Sequence, residues 1–228
     1  MKRSAVAAAA LALTLSVPTA AHAAAPSPAP AAAAAVPQVL PMGVAVSALP
    51  LALENRTGYQ RTSFRHWNAG DIPADGCNTR QEVLLAEAVE YPSIGPGCTL
   101  AGGVWISYYD ETSVTDPSRL DIDHMVPLAE AWDSGASSWT AQKREAYAND
   151  QGQPSSLVAV TARSNRSKAD QDPAEWLPPS AEALCRYGAE WTATKLRWGL
   201  AVDEAERDRL FDIAAGCGGT DVEFTPAP

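Results

Sequence analysis

An α+β fold is predicted for this 228-residue chain, and three features of the sequence predict it. Residues 120–127 and 156–161 are short apolar runs bounded by turn signals, which reads as two buried strands. The polar segment 164–170 follows the second run at once and reads as the opening of a helix, so the order is strand, insertion, strand, helix. In the last third, Leu184, Tyr187, Trp191 and Trp198 recur at offsets of three, four and seven, which makes one apolar helical stripe.

The first 51 residues stand apart from this plan. Lys2 and Arg3 precede an apolar run over residues 5–17, and Ala21-His22-Ala23 follows as a small-residue cleavage site. Residues 1–23 therefore read as a secretory signal peptide, and the protein as secreted and extracellular. No later apolar run reaches the roughly 18 residues a membrane span needs. Residues 24–51, rich in Ala and Pro, are expected to form a disordered tether. That leaves 52–220 as a single domain and 221–228 as a frayed tail.

Export gives the four cysteines a meaning, because thiols in an oxidising compartment tend to pair. Three connectivities are open to four cysteines. Cys77 with Cys98 and Cys185 with Cys217 are favoured, since each closes a moderate loop in one half of the domain. The alternative is a four-cysteine zinc site, but the C-x-x-C spacing typical of one is missing.

Along the domain, residues 53–67 interleave Arg56, Arg61 and Arg65 with Tyr59, Phe64 and Trp67 and read as a solvated amphipathic helix, with a binding surface as the alternative. Residues 70–76 read as a loop. Thr79 with Glu82 has the capping-box pattern and opens a helix to about residue 89. Residues 98–101 and 104–108 read as a small β-hairpin around Gly102-Gly103, and 110–118 as a polar loop. Pro127 stops the first central strand. A few helical turns then lead to Gly135, and Ser138 caps a helix through Ala148. Gly199 ends the long C-terminal helix, Asp203 with Glu206 caps the next, and Gly216 closes it.

The chemistry gathers in residues 120–127. A neutral imidazole can act as a base near pH 7, and His124 is the one histidine set beside carboxylates, Asp121 and Asp123. A hard cation such as Mg²⁺ takes a few oxygen ligands and keeps several waters; Asp123 and the amide of Asn165 supply two. Arg166 and Lys168 are the nearby cations for a phosphate. Strand alternation sends Asp123 and His124 to opposite faces unless the strand ends there. The net charge of −10 argues against a high-affinity nucleic-acid binder, which normally shows a basic footprint.

The ordered series Asp121 to Leu128, Glu130-Ala131-Trp132, Asn149-Asp150, Asn165-Arg166-Ser167-Lys168, Asp172-Pro173 and Trp176 resembles the secreted GmrSD-type branch of the HNH endonucleases over about residues 59–190. The resemblance implies an interrupted ββα-metal core (HNH, or His-Me finger) with additional helices, and a divalent cation, Mg²⁺ or alternatively Mn²⁺. It implies cleavage of DNA, and RNA as a second substrate, without strong sequence specificity, by a monomer. His124 is similar to the motif's general base, Asp123 and Asn165 to its metal ligands, with Asp121 as an orienting carboxylate. The sequence departs from the motif at its middle Asn, where Ser155 or Ser156 stands, and the Ser156 hydroxyl is the group able to hydrogen-bond in the orienting role. Arg80 lies in a segment typical of the branch and is expected to clamp phosphate. The competing expectation is a catalytically silent HNH-like secreted module that binds a partner.

Overall fold

The computed structural model describes Met1 and residues 35–228; apart from Met1, the expected signal peptide and the tether as far as residue 34 lie outside the described residues. Met42, Ala45, Val46 and Leu49 are spaced three, four and seven apart, an apolar helical stripe, and all four are buried. They belong to α1 (Met42–Ser47) and the turn after it, and β1 (Gln38–Pro41) runs directly into that helix. The tether expectation is thus corrected from residue 38 onward: Ala-rich composition hid a stripe that has a partner to pack against.

Residues 53–67 do not form the expected amphipathic helix. Only a single 3₁₀ turn occurs, at Arg61–Ser63, and Arg56 is spent tying the segment to Asp133 and Asp170. Next comes α2 (Thr79–Ala86), whose capping box is set one residue earlier than predicted: the Asn78 side chain accepts from Gln81 N, and Gln81 reaches back to Asn78 N. Glu82 is released from the cap and accepts from the backbone of Asp71 and Ile72 and from Gln151.

The predicted hairpin around Gly102-Gly103 is replaced by two others. β2 (Ser93–Gly95) pairs with β3 (Thr99–Ala101), and β4 (Trp105–Ser107) pairs with β5 (Thr112–Val114), both antiparallel. The two glycines, at φ 68° and 87°, serve as the link between hairpins. A side chain at Gly103 would also meet the Trp105 ring at 2.7 Å.

The centre is β6 (Leu120–His124), α3 (Leu128–Asp133), α4 (Ala141–Ala148), β7 (Leu157–Thr161) and α5 (Ala162–Lys168). β6 and β7 pair antiparallel along all five residues, from Leu120 opposite Thr161 to His124 opposite Leu157. The cap of α4 is Thr140, not Ser138. Thr161 ends β7 and caps α5 at once, its hydroxyl accepting from Ser164 N at 3.2 Å, so strand passes into helix without a loop.

Leu184–Trp198 forms α6, ended by Gly199 in the left-handed region, and Glu204–Gly216 forms α7, capped by Asp203. The chain does not fray afterwards. β8 (Asp221–Phe224) pairs antiparallel with β1 and buries Val222 and Phe224. Disulfides join Cys77 to Cys98 and Cys185 to Cys217. The largest apolar cluster runs beneath β6 and β7 to Tyr187, Trp191 and Trp198 on α6; a second packs α2 and Trp105 on the same strand pair.

Candidate active site

Asp123 and His124 are the last two residues of β6, and the chain leaves the strand directly after them. Ending the strand there is what brings both side chains to a single cleft of about 460 Å³, despite the alternation that separates them within a strand. Asn165 and Arg166 from α5, Tyr59 and Arg61 from the N-terminal segment, and Asp170 also line it.

The end of β6 is held by Lys168. Its ammonium is fully buried and donates to Asp123 Oδ2 at 2.5 Å, to His124 O at 3.1 Å and to Met125 O at 2.8 Å. Those three bonds use every proton an ammonium has. Lys168 is therefore not a phosphate contact, contrary to expectation; it is an internal cation that satisfies the carbonyls where the strand stops. Burial pushes the Lys168 pKa down and that of Asp123 up, and their mutual attraction opposes both shifts. Tyr109 donates a second bond to Asp123 Oδ2, at 2.7 Å. Oδ1 is left without a hydrogen-bond partner among the described residues.

His124 is oriented by backbone, and the Ser156 expectation is corrected. Nε2 lies 2.9 Å from Ala148 O. A carbonyl can only accept, so Nε2 carries the proton and Nδ1 keeps the lone pair. Ser156 instead donates to Asp150 Oδ2 at 2.7 Å, in a buried hub where Asp150 also takes Arg197 and the Trp198 indole. Burial, then the neighbouring His66, Arg61 and Lys168, push the His124 pKa down to about 3, so the ring is neutral. Trp67 stacks on it at 5.5 Å between centroids and Tyr147 at 6.4 Å, while His66 meets it edge-on at 5.9 Å.

Asn165 donates its Nδ2 to Asp121 Oδ2 at 3.3 Å, which leaves the amide oxygen available. Arg166 lies 3.4 Å from the same carboxylate and is largely exposed. Asp121 thus orients Asn165 and Arg166 from the side. Arg80 is not at the cleft: its guanidinium donates to Leu120 O at 2.9 Å and holds the start of β6. Arg61 was missed as a cleft cation because the helix expected over 53–67 placed it on a solvated face. The alternation of arginine with aromatic residues there was the available signal.

Asp123 Oδ1 and the Asn165 amide oxygen suit a hard cation that keeps most of its waters. Among the described residues, the groups of three or more acids and histidines close enough to share an ion lie elsewhere, so two protein oxygens are what this cleft offers.

The family model described as "GmrSD restriction endonucleases, C-terminal domain" matches residues 98–213, a stretch that holds Asp121, Asp123, His124 and Asn165 together. The chain belongs to this family. An uncharacterized secreted protein of Arthroderma benhamiae is 40% identical to this GmrSD-type chain over 161 residues, 70% of this chain and 76% of the relative. No solved structure matches. The family makes a nuclease-related function the general reading for the GmrSD-type domain. The similarity to a secreted relative agrees with two disulfides and with the fact that, among the described residues, no helix is long and apolar enough to cross a membrane.

Proposed function

We propose that this protein is a secreted endonuclease that hydrolyses phosphodiester bonds of DNA, and of RNA as a second substrate, with β6, β7 and α5 serving as a ββα-metal core. The observation that carries the reading is the convergence of Asp123, His124 and Asn165 from two separated segments in one cleft, with Arg61 and Arg166 at its wall.

The neutral Nδ1 of His124 accepts a proton from the attacking water, and the Nε2–H to Ala148 bond holds the ring for that transfer. A phosphate entering the cleft offsets the positive charges of Arg61 and Lys168 that weaken the imidazole as a base. Arg166 and Arg61, both lining the cleft, hold the phosphate oxygens. Asp123 Oδ1 and the Asn165 amide oxygen would hold the divalent cation, taken as Mg²⁺ with Mn²⁺ as substitute, and it would supply charge stabilisation at the phosphate and the leaving oxygen. The acidic net charge fits an enzyme that releases its substrate readily and acts without strong sequence specificity.

A second reading, a catalytically silent module that binds a partner, draws on that acidity and on Lys168 and Tyr109 claiming one oxygen of Asp123. Plasmid nicking and RNA cleavage by mature protein separate the two. We expect metal-dependent cleavage that chelator abolishes and that His124→Ala lowers by about 10²–10⁴-fold, with Asn165→Ala also impaired. Cleavage untouched by chelator and by His124→Ala would refute the mechanism; no cleavage with any divalent metal would favour the silent module.

A further inference from the structure

Helix α5 is a partition between two hollows. Asn165, Arg166 and Ala169, at its end, line the candidate active site, whereas Arg163, Ser164 and Ser167 line a second cavity of about 400 Å³. At about 100° per residue the two sets fall on nearly opposite faces of the helix. The cavities therefore lie back to back, one helix thickness or about 10 Å apart.

Three kinds of wall enclose the second cavity. Trp176 and Leu177 supply the apolar side. The Trp176 ring is fixed in place: its indole donates to Ser167 Oγ at 3.2 Å, and Tyr109 and Tyr187 pack on it with centroids at 5.3 and 5.7 Å. It is nonetheless only half-buried, and part of the ring is surface of the cavity. Asp110 supplies the polar side, its Oδ2 accepting from Thr161 Oγ1 at 2.5 Å and from Ser164 Oγ at 2.8 Å. Burial pushes the Asp110 pKa up, but hydrogen bonds, that of Thr161 first, outweigh burial and hold the carboxyl below its usual range. The inner wall is thus negative.

Arg163 forms the rim. Of the exposed cations among the described residues, Arg56, Arg65, Arg166 and Arg186 pair with carboxylates, whereas Arg61, Arg119 and Arg163 do not. Arg61 lines the active-site cleft and Arg163 the second cavity. Arg119 precedes Leu120, the residue opposite Thr161 where α5 begins. In a chain of 27 acids and 17 cations, the exposed positive charge without a partner is therefore gathered about α5. Arg163 and Arg166, three residues apart, are neighbours on the helix surface, so this charge runs from one cavity to the other.

A ligand that fits has a flat uncharged part to lie on Trp176 and an anionic part that stays at the rim, because Asp110 repels an anion inside. A nucleotide in a strand has that build. We propose that this cavity is a subsite for an unpaired nucleobase of the substrate strand, stacked on Trp176 with its phosphate on Arg163, the strand passing over Arg166 into the active-site cleft. The inference rests on the nuclease reading of that cleft. A base reaches such a site only when it is unstacked and unpaired, so the strand is single-stranded there.

The test reads binding, without turnover. Mature His124→Ala protein in chelator is titrated into a fluorescein-labelled single-stranded DNA of about eight nucleotides, a length within known single-strand site sizes, and anisotropy is followed. The same DNA as a duplex, and an abasic strand with the same phosphates, are titrated alongside. The single strand should bind at least about tenfold more tightly than the duplex. Trp176→Leu, at unchanged circular dichroism, should weaken the single strand about tenfold, as for loss of one stacked base, and leave the abasic strand unchanged. Arg163→Gln breaks no contact of the fold, so it tests the site even where Trp176→Leu unfolds. It should weaken both strands and flatten the slope of log affinity against log salt by about 0.7. A duplex bound as tightly as the single strand, equal weakening of both strands in folded Trp176→Leu, an unchanged salt slope in Arg163→Gln, or no binding at low salt would each overturn the proposal. Binding that follows this pattern beside absent plasmid and RNA cleavage would keep the base site and refute the nuclease reading; cleavage by the wild type with unaltered binding in both variants would do the reverse.

Discussion

Lys168 shows how much one side chain decides at the centre of this protein. Its ammonium neutralises Asp123 and fills the hydrogen-bonding needs of His124 O and Met125 O at the point where β6 gives out. Tyr109, Tyr187 and Trp191 surround it, with ring centroids 5.8, 6.0 and 5.5 Å from Nζ. Removing one partner of a buried pair leaves the other charge uncompensated in an apolar site. Lys168→Met should therefore destabilise the fold by about 3–5 kcal/mol, read from urea unfolding. Adding Asp123→Asn to that variant should restore part of the loss, since the carboxylate no longer lacks a counter-charge. If Lys168 were instead a phosphate contact, its replacement would leave stability unchanged and lower activity alone.

At the scale of elements, the pair β6–β7 has only two strands, so the outer edge of β7 must be covered. Two side chains do this. Glu87, just past α2, accepts from Ala159 N at 3.0 Å, and Ser107 Oγ in β4 accepts from Thr161 N at 3.0 Å. Burial pushes the Glu87 pKa up to about 7 against the help of the Ala159 amide. An acid raised in the folded state contributes stability that is complete below the unfolded value, near 4.5, and that is lost as pH rises through about 7. Glu87→Gln keeps an acceptor for Ala159 N and removes the charge. It should match the wild type at pH 4 and exceed it by about 1–2 kcal/mol at pH 8, after allowance for partial solvent screening. Equal stabilities at both pH values in chemical unfolding would contradict this role for Glu87.

For the described molecule as a whole, the N-terminal strand and helix close the C-terminal half. β1 pairs with β8, and α1 packs Met42 and Ala45 against Ala193, Ile213 and Phe224. The fit is close, since a side chain at Gly188 would meet Met42 Cε at 2.5 Å and Ile213 Cγ2 at 2.9 Å. A chain beginning at residue 52 loses this layer. Compared with one beginning at residue 35, it should unfold several kcal/mol more easily, as expected when several buried apolar side chains are removed, and should expose β8. Coincident thermal midpoints for the two chains would show that the layer is dispensable.

Residue order alone determined the parts whose signals are local. The apolar runs of β6 and β7, the stripe of α6, the αL glycine at 199 and the Asp203 cap are set by neighbours within a few positions, and the structure reproduces them. The pairing of Cys77 with Cys98 and Cys185 with Cys217, favoured on loop size among three connectivities, is the one the structure shows. The ordered motif around Asp123, His124 and Asn165 also pointed to the family before any geometry. Tertiary structure decided everything that depended on partners distant in the chain. Residues 38–49 and 221–224 look featureless until each supplies the other's missing strand and apolar surface. Arg80, Ser156 and Lys168 carry polar groups that any phosphate site could use, and only the fold shows those groups bound to Leu120 O, Asp150 and Asp123. Arg61 gains its place at the cleft, and His124 its partner in Ala148 O, in the same way. The reason is physical: secondary structure follows periodicity along the chain, whereas a side chain's chemistry follows from which atoms folding brings within about 3 Å of it.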